Sequence, residues 1–138
     1  MNRSVIKETV KASLSSTMTF PQIVGMLVAE GVESYHVDLV RHENRYYSKT
    51  GESHVEEVSL AHPTAAKEFS GAKVEAAVRS SQAGKITYRQ FIDLISEAGT
   101  TYYIAYLNGK RVTYFGRNGD SHTEYFPGFI TDRPRSGS

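Results

Sequence analysis

Residues 86–124 carry the signals of one helix followed by three strands, in the sequence ITYRQFIDLISEAGTTYYIAYLNGKRVTYFGRNGDSHTE. Thr87 and Gln90 have the spacing of a capping box, in which each side chain bonds the backbone N–H of the other residue. Gly99 suits the left-handed position that often follows the end of a helix. Alternation of apolar and polar residues then begins, which is typical of strands.

Two Asn-Gly pairs divide the part after the helix into three short strands. Asn108-Gly109 and Asn118-Gly119 predict type I′ turns, because Asn and Gly tolerate the positive φ that both central positions require. We therefore expect a three-stranded meander behind the helix.

The same signals occur 68 residues earlier, in residues 18–56, which are MTFPQIVGMLVAEGVESYHVDLVRHENRYYSKTGESHVE. Residues 3–57 align without a gap with residues 71–125, and 12 of the 55 positions are identical. The identities include the helix caps, the glycine after the second helix and a turn glycine, so duplication explains them better than convergence. We predict an α+β fold from internal duplication of an α-α-β-β-β unit, with an antiparallel sheet and helices packed on one face.

The predicted organisation is a single domain over residues 1–126, with repeats at about 3–57 and 71–125 and a connector at 58–70. Pro127-Gly128 ends the regular pattern, and residues 127–138 are expected to form a loose C-terminal tail. A pseudo-twofold axis between the repeats is expected, as in a fused homodimer, and a homodimer is left open.

Composition excludes several classes of protein. The chain has 138 residues, a net charge of +1 and no cysteine. Disulfides, thiolate metal sites and a cysteine nucleophile are thereby excluded, and a reducing, cytoplasmic location is expected. No apolar run approaches the roughly 20 residues of a membrane span, so we expect no membrane partner. The nearly balanced charge argues against nucleic acid.

Alternation in the strands predicts which sheet face is buried. Tyr35, Val37 and Leu39 in the first repeat, and their counterparts in the second, are expected to face the helices. The opposite face is polar in the first repeat and aromatic in the second. Its aromatic part is the predicted ligand or partner surface, made of Tyr102, Ile104, Tyr106, Phe115 and Phe126. The competing explanation is that another part of the chain covers these aromatic residues.

The motif His-x-Glu occurs twice, at His54 and Glu56 and at His122 and Glu124. Residues two apart on a strand point the same way, so these four are candidate metal ligands. We favour cross-strand pairing instead, with Glu56 opposite Arg45 and His54 opposite Tyr47.

A row of His36, Arg45 and Glu56 is expected across the first repeat. His36 or His54 with Glu56 are the candidate catalytic residues of a hydrolase or lyase, because a histidine near a carboxylate can act as a general base. No nucleophile is placed beside either histidine, and solvated ion pairs explain the row as well. We therefore expect no catalytic residue and no cofactor.

The second repeat resembles the YdfO-like family of small bacterial and prophage-encoded proteins of uncharacterised function. The residues that carry the resemblance are Thr87-Tyr88, Ala98-Gly99, the aromatic strand from Tyr102, and Thr113-Tyr114-Phe115-Gly116 leading to Gly119. The resemblance spans most of the chain, from about Met18 to Phe126. It implies a compact α+β fold and supplies no activity, cofactor or catalytic residue.

Together these patterns favour a non-enzymatic binding module for a protein or small ligand. The predicted site is the aromatic sheet face or the cleft between the repeats. The alternatives are the hydrolase or lyase, and a protein that stacks single-stranded nucleic acid on its aromatic residues.

Overall fold

The computed structural model describes residues 1–127. Its first half contains α1 (Arg3–Ser15), α2 (Phe20–Ala29), β1 (Val32–Asp38), β2 (Glu43–Ser48) and β3 (Ser53–Glu57). The second half contains α3 (Gly71–Gln82), α4 (Tyr88–Glu97), β4 (Thr100–Tyr106), β5 (Arg111–Gly116) and β6 (Ser121–Tyr125). The α+β class is confirmed, and both halves have the same order of elements. The predicted tail from Gly128 onward lies outside the described residues.

Local sequence sets the starts of the second helix in each half. Thr19 with Gln22, and Thr87 with Gln90, both form the predicted capping box. Gly99 has a φ of +99° directly after α4. On α4, Phe91, Ile92 and Ile95 are buried, whereas Leu94 is exposed. None of the helices in residues 1–127 is long and apolar enough to cross a membrane.

All six strands join in one antiparallel sheet with the order β3-β2-β1-β4-β5-β6. The two halves meet at β1 and β4, where His36 is paired with Ile104. Each half therefore adds three strands outward from the centre, and β3 and β6 are the two edges. The sequence left open whether the halves share a sheet, because nothing local specifies the pairing of β1 with β4.

The predicted type I′ turns are wrong. At Asn108-Gly109 only Lys110, which follows them, has a positive φ, of 56°. At Asn118-Gly119 only Gly119 has one, of 90°. The loops are longer than two residues, since the last pairs are Tyr106 with Arg111 and Phe115 with Ser121, and loops of four or five residues are usually built around a type I turn.

One core lies between the four helices and the inner face of the sheet, which is the face turned toward the helices. Tyr35, Val37 and Leu39 are buried there as predicted, and so are Tyr103 and Leu107. The helices contribute mainly the buried side chains Ile6, Leu27, Val74, Ile92 and Ile95. Both halves thus build the same core.

The predicted register of the edge strand β3 is wrong by one residue. His54 lies opposite Tyr46 and Glu56 opposite Asn44, whereas Arg45 faces Val55. The side chains of a strand alternate, so this slip moves His54 and Glu56 to the inner face. The cause is the loop between Tyr47 and Ser53, whose length fixes the pairing.

Candidate functional site

A cavity of about 620 Å³ lies between the helices and the inner face of the sheet. Both halves line it, because its walls come from α1, α2, α3 and α4 and its floor from β1, β2, β4, β5 and β6. The structure therefore has a cavity between the two repeats, above the sheet and open on one side. A volume of about 300–1,000 Å³ is typical of pockets that bind small molecules.

The floor of the cavity consists of tyrosine rings. Tyr35 of β1 and Tyr46 of β2 stack with ring centres 5.4 Å apart. Tyr103 of β4 and Tyr114 of β5, which are the equivalent residues of the second half, lie 5.2 Å apart. Both pairs result from neighbouring strands that place cross-strand partners on the inner face. We call these four residues and Tyr88 of α4 the tyrosine cluster.

Hydrogen bonds orient part of the tyrosine cluster. The hydroxyl groups of Tyr88 and Tyr103 are 3.0 Å apart. The side-chain amide of Asn44 donates to the Tyr46 hydroxyl at 3.1 Å. Each phenol can both donate and accept, so the cluster offers polar contacts at fixed positions within an apolar wall.

Burial keeps the tyrosine cluster neutral. It raises the pKa of Tyr35, Tyr46, Tyr103 and Tyr114 far above the ordinary value of 10.0, and it also raises the pKa of Tyr88. Desolvation is the largest cause in each case, because it penalises the phenolate. The cluster is therefore uncharged at neutral pH and also at moderately alkaline pH.

The mouth of the cavity lies between the two helix–helix links. Its exposed lining residues include Ser16, Phe20, Gly84 and Lys85. Phe126 also lies here, with its ring 5.3 Å from that of Phe20 in an edge-to-face contact. The predicted placement of Phe126 on the aromatic outer face is wrong, since successive residues of a strand point to opposite faces.

Few charges line the cavity. Among the described lining residues, only Glu124 and Lys85 are charged. Glu124 is buried, and Arg79 Nη1 lies 2.9 Å from its Oε1 while His122 Nε2 lies 2.5 Å from its Oε2. The negative charge of Glu124 is thus balanced by Arg79 within the protein.

The two His-x-Glu pairs lie at opposite edges of the sheet, on β3 and β6. Glu56 is buried, bonds His54 and has Lys7 Nζ 3.4 Å from its Oε1. Each edge strand therefore turns an ion-paired carboxylate inward, toward its own first helix. Inward charges of this kind are one means by which proteins discourage edge strands from pairing with other chains.

The metal candidates of β6 are the better placed of the two sets. Ligand atoms of Glu75, His122 and Glu124 all lie within 4.8 Å of one another. However, the guanidinium of Arg79 pairs with both carboxylates, at 3.4 Å from Glu75 and 2.9 Å from Glu124. Arg79 therefore already supplies the positive charge that a metal ion would bring to these carboxylates.

The predicted catalytic row is not formed. His36 is on the outer face, which is the face turned away from the helices, whereas His54 and Glu56 are on the inner face. The row across the outer face is instead His36, Arg45 and Val55. Burial, and then the charge of Arg45, lowers the pKa of His36.

The predicted aromatic surface is present in part. Tyr102, Ile104, Tyr106 and Phe115 share the outer face, and the rings of Tyr102 and Phe115 stack at 4.8 Å. Tyr102 and Tyr106 are each 38% exposed.

Sequence reasoning missed the tyrosine cluster as a site, although a signal was present. Tyr35 with Tyr103, and Tyr46 with Tyr114, are two of the twelve identities between the halves. The four residues were assigned to the core on alternation alone. Only the packing of the helices shows that a cavity remains above them.

Residues 61–124 match the family model described as a protein of unknown function, DUF1398. This segment is similar to an uncharacterised family. It covers the connector from Ala61 and almost all of the second half, which includes Tyr88, Tyr103 and Tyr114. No curated protein matches the chain.

Proposed function

We propose that the protein is a non-enzymatic binding module that holds a small molecule in the cavity above the tyrosine cluster. The observation that carries this proposal is the cavity itself, which has a volume in the range of ligand pockets, four tyrosines in its floor and Tyr88 in its wall. Of the two predicted surfaces, the cleft between the halves has the concave shape that a small ligand needs.

The chemistry of the lining favours a neutral and mainly apolar ligand with at least one ring. Aromatic floors bind rings by stacking, and the phenol hydroxyls can accept from or donate to a few polar groups. A charged group on the ligand would lose its hydration at the floor and find no opposite charge there, because Glu124 is already paired.

Dye binding tests the proposal, with the neutral dye Nile red and the anionic dye anilinonaphthalene sulfonate as probes. We expect saturable binding of Nile red and weaker binding of the anionic dye. Ser13→Trp, which puts a large ring into the cavity wall on α1, should weaken binding of Nile red by about tenfold or more, equivalent to about 1.4 kcal/mol.

Val40→Trp is the matched control, because Val40 is 70% exposed and does not line the cavity. If Ser13→Trp fails to fold, Val10→Phe replaces it, because Val10 also lies in the cavity wall. Equal dye binding by the wall variants and the control, or a preference for the anionic dye, would refute the proposal.

Three narrower statements belong with this proposal. The equal element order and the twelve identities support an internal duplication. The match of residues 61–124 to an uncharacterised family supports the YdfO-like resemblance at a coarser level. The lack of cysteine supports a cytoplasmic location.

A further inference from the structure

The outer face of the sheet is not covered by the helices, since all four pack on the inner face within residues 1–127. Its apolar part includes Tyr102, Tyr106 and Val55, which are 38%, 38% and 49% exposed. Exposed aromatic side chains on a flat surface are typical of interfaces between proteins.

The two halves of the outer face differ in charge. On β1–β3 the strand positions that point outward carry three carboxylates and one guanidinium, from Asp38, Glu43, Glu57 and Arg45. On β4–β6 the outward strand positions carry the guanidinium of Arg111 and no carboxylate. Arg41 and Arg45 pair with Glu43, and Arg45 also lies near Asp38, so the first half is polar with a small net negative charge. The second half is aromatic with a small positive charge.

We propose that two copies of the chain associate face to face through the outer face, with a two-fold axis parallel to β1 and β4. That axis places β1–β3 of one copy over β4–β6 of its partner, so the acidic half meets the aromatic and basic half. A two-fold axis across the strands would place Arg45 over the partner's Arg45 and acidic half over acidic half, which is repulsive.

The size of the face reaches the lower limit for a specific dimer. Six strands about 4.8 Å apart and about six residues long form a face of about 25 Å by 20 Å. Two such faces bury about 1,000 Å², which is the area at which specific interfaces begin. The interface would be isologous, because the same outer face of both copies forms it and each half of one copy contacts the opposite half of the other.

Solution mass tests the association, and the expected value is twice the 15.3 kDa of one chain. Tyr102→Asp and Tyr106→Asp should each shift the equilibrium toward monomer. Val28→Asp is the matched control, because Val28 is 47% exposed on α2, away from the outer face. A wild-type chain that stays monomeric at about 100 µM would overturn the proposal. So would a dimer that both outer-face variants leave intact.

Cysteine cross-linking tests the direction of the two-fold axis. The chain has no cysteine of its own, so only the introduced cysteines can react. Val55 on β3 and Thr123 on β6 share one row of the outer face, at opposite edges of the sheet. Mixed Val55→Cys and Thr123→Cys chains should cross-link with a bis-maleimide spacer of about 10 Å, the distance between packed sheets. Val55→Cys chains alone should not cross-link. Efficient cross-links within the Val55→Cys sample would overturn the proposed axis.

Discussion

The hydroxyl groups of Tyr88 and Tyr103 lie 3.0 Å apart and share a hydrogen bond between α4 and β4. Tyr103 is buried, so its hydroxyl depends on this partner. The bond fixes the depth at which α4 sits over the sheet, and it thereby shapes one side of the cavity.

Tyr88→Phe should lower the free energy of unfolding by about 1–2 kcal/mol, because it leaves the Tyr103 hydroxyl without its partner. The double variant Tyr88→Phe with Tyr103→Phe should lose less than the sum of the two single variants. Urea unfolding measures both effects. Val28→Thr, at an exposed position of α2 away from the outer face, is the control and should stay within about 0.5 kcal/mol of wild type. Additive losses in the double variant would show that the hydroxyls are not coupled.

Gly99→Ala should destabilise the fold by about 3 kcal/mol or more. An added Cβ would lie 2.5 Å from the Glu68 carbonyl oxygen and 2.8 Å from Phe69 Cα, at a φ of +99°. Left-handed backbone costs a residue other than glycine about 1–2 kcal/mol, and the clash adds to that cost.

Gly84→Ala separates these two contributions, because Gly84 also has a positive φ, of +71°, but an added Cβ meets nothing within 4 Å. It should cost about 1–2 kcal/mol, which is the conformational part alone. Thermal unfolding of the two variants compares them directly. Equal losses would mean that the connector at Glu68 moves away without cost.

Arg79→Met should destabilise the protein more than Lys7→Met, although both remove a cation from a buried glutamate. Arg79 Nη1 lies 2.9 Å from Glu124, whereas Lys7 Nζ lies 3.4 Å from Glu56 and its side chain is more exposed. We expect a loss of about 1–2 kcal/mol for Arg79→Met, reduced by the solvent around its half-exposed side chain, and less than about 1 kcal/mol for Lys7→Met. Chemical denaturation at low and high salt measures both. A larger loss for Lys7→Met would contradict this ranking.

The protein should lose stability as the pH rises above about 10. Burial raises the pKa of the five cluster tyrosines above 10.0 in the folded state, and the unfolded chain titrates near 10.0. Below that pH both states hold the phenol protons, so these groups contribute no pH dependence. Above it the unfolded state has released protons that the folded state retains, and unfolding becomes more favourable.

Tyrosinate absorbance followed together with far-ultraviolet circular dichroism checks this pH dependence. We expect the cluster tyrosines to ionise only as the helix signal is lost. Ionisation of all nine tyrosines of the chain while the helix signal stays native would contradict the burial of the cluster.

Much of the fold follows from local sequence, because its signals act over a few residues. Capping boxes at Thr19 and Thr87 begin α2 and α4 as predicted, since the cap and its partner are three residues apart. Alternation places Tyr35, Tyr103 and Leu107 on the inner face for the same reason. The repeated order of elements is also visible at this level.

Only the tertiary structure decided the location of the site, whereas the register of β3 followed from the length of the loop before it. The pairing of β3 with β2 differs from the predicted one by a single residue, and this difference places Glu56 on the inner face instead of the outer face, because strand side chains alternate. The pairing of β1 with β4 and the gap between the helix pairs depend on contacts between distant residues. The sequence by itself determined the helices, the strands and the inner tyrosines, whereas only the packing of the two halves made those tyrosines the floor of a cavity.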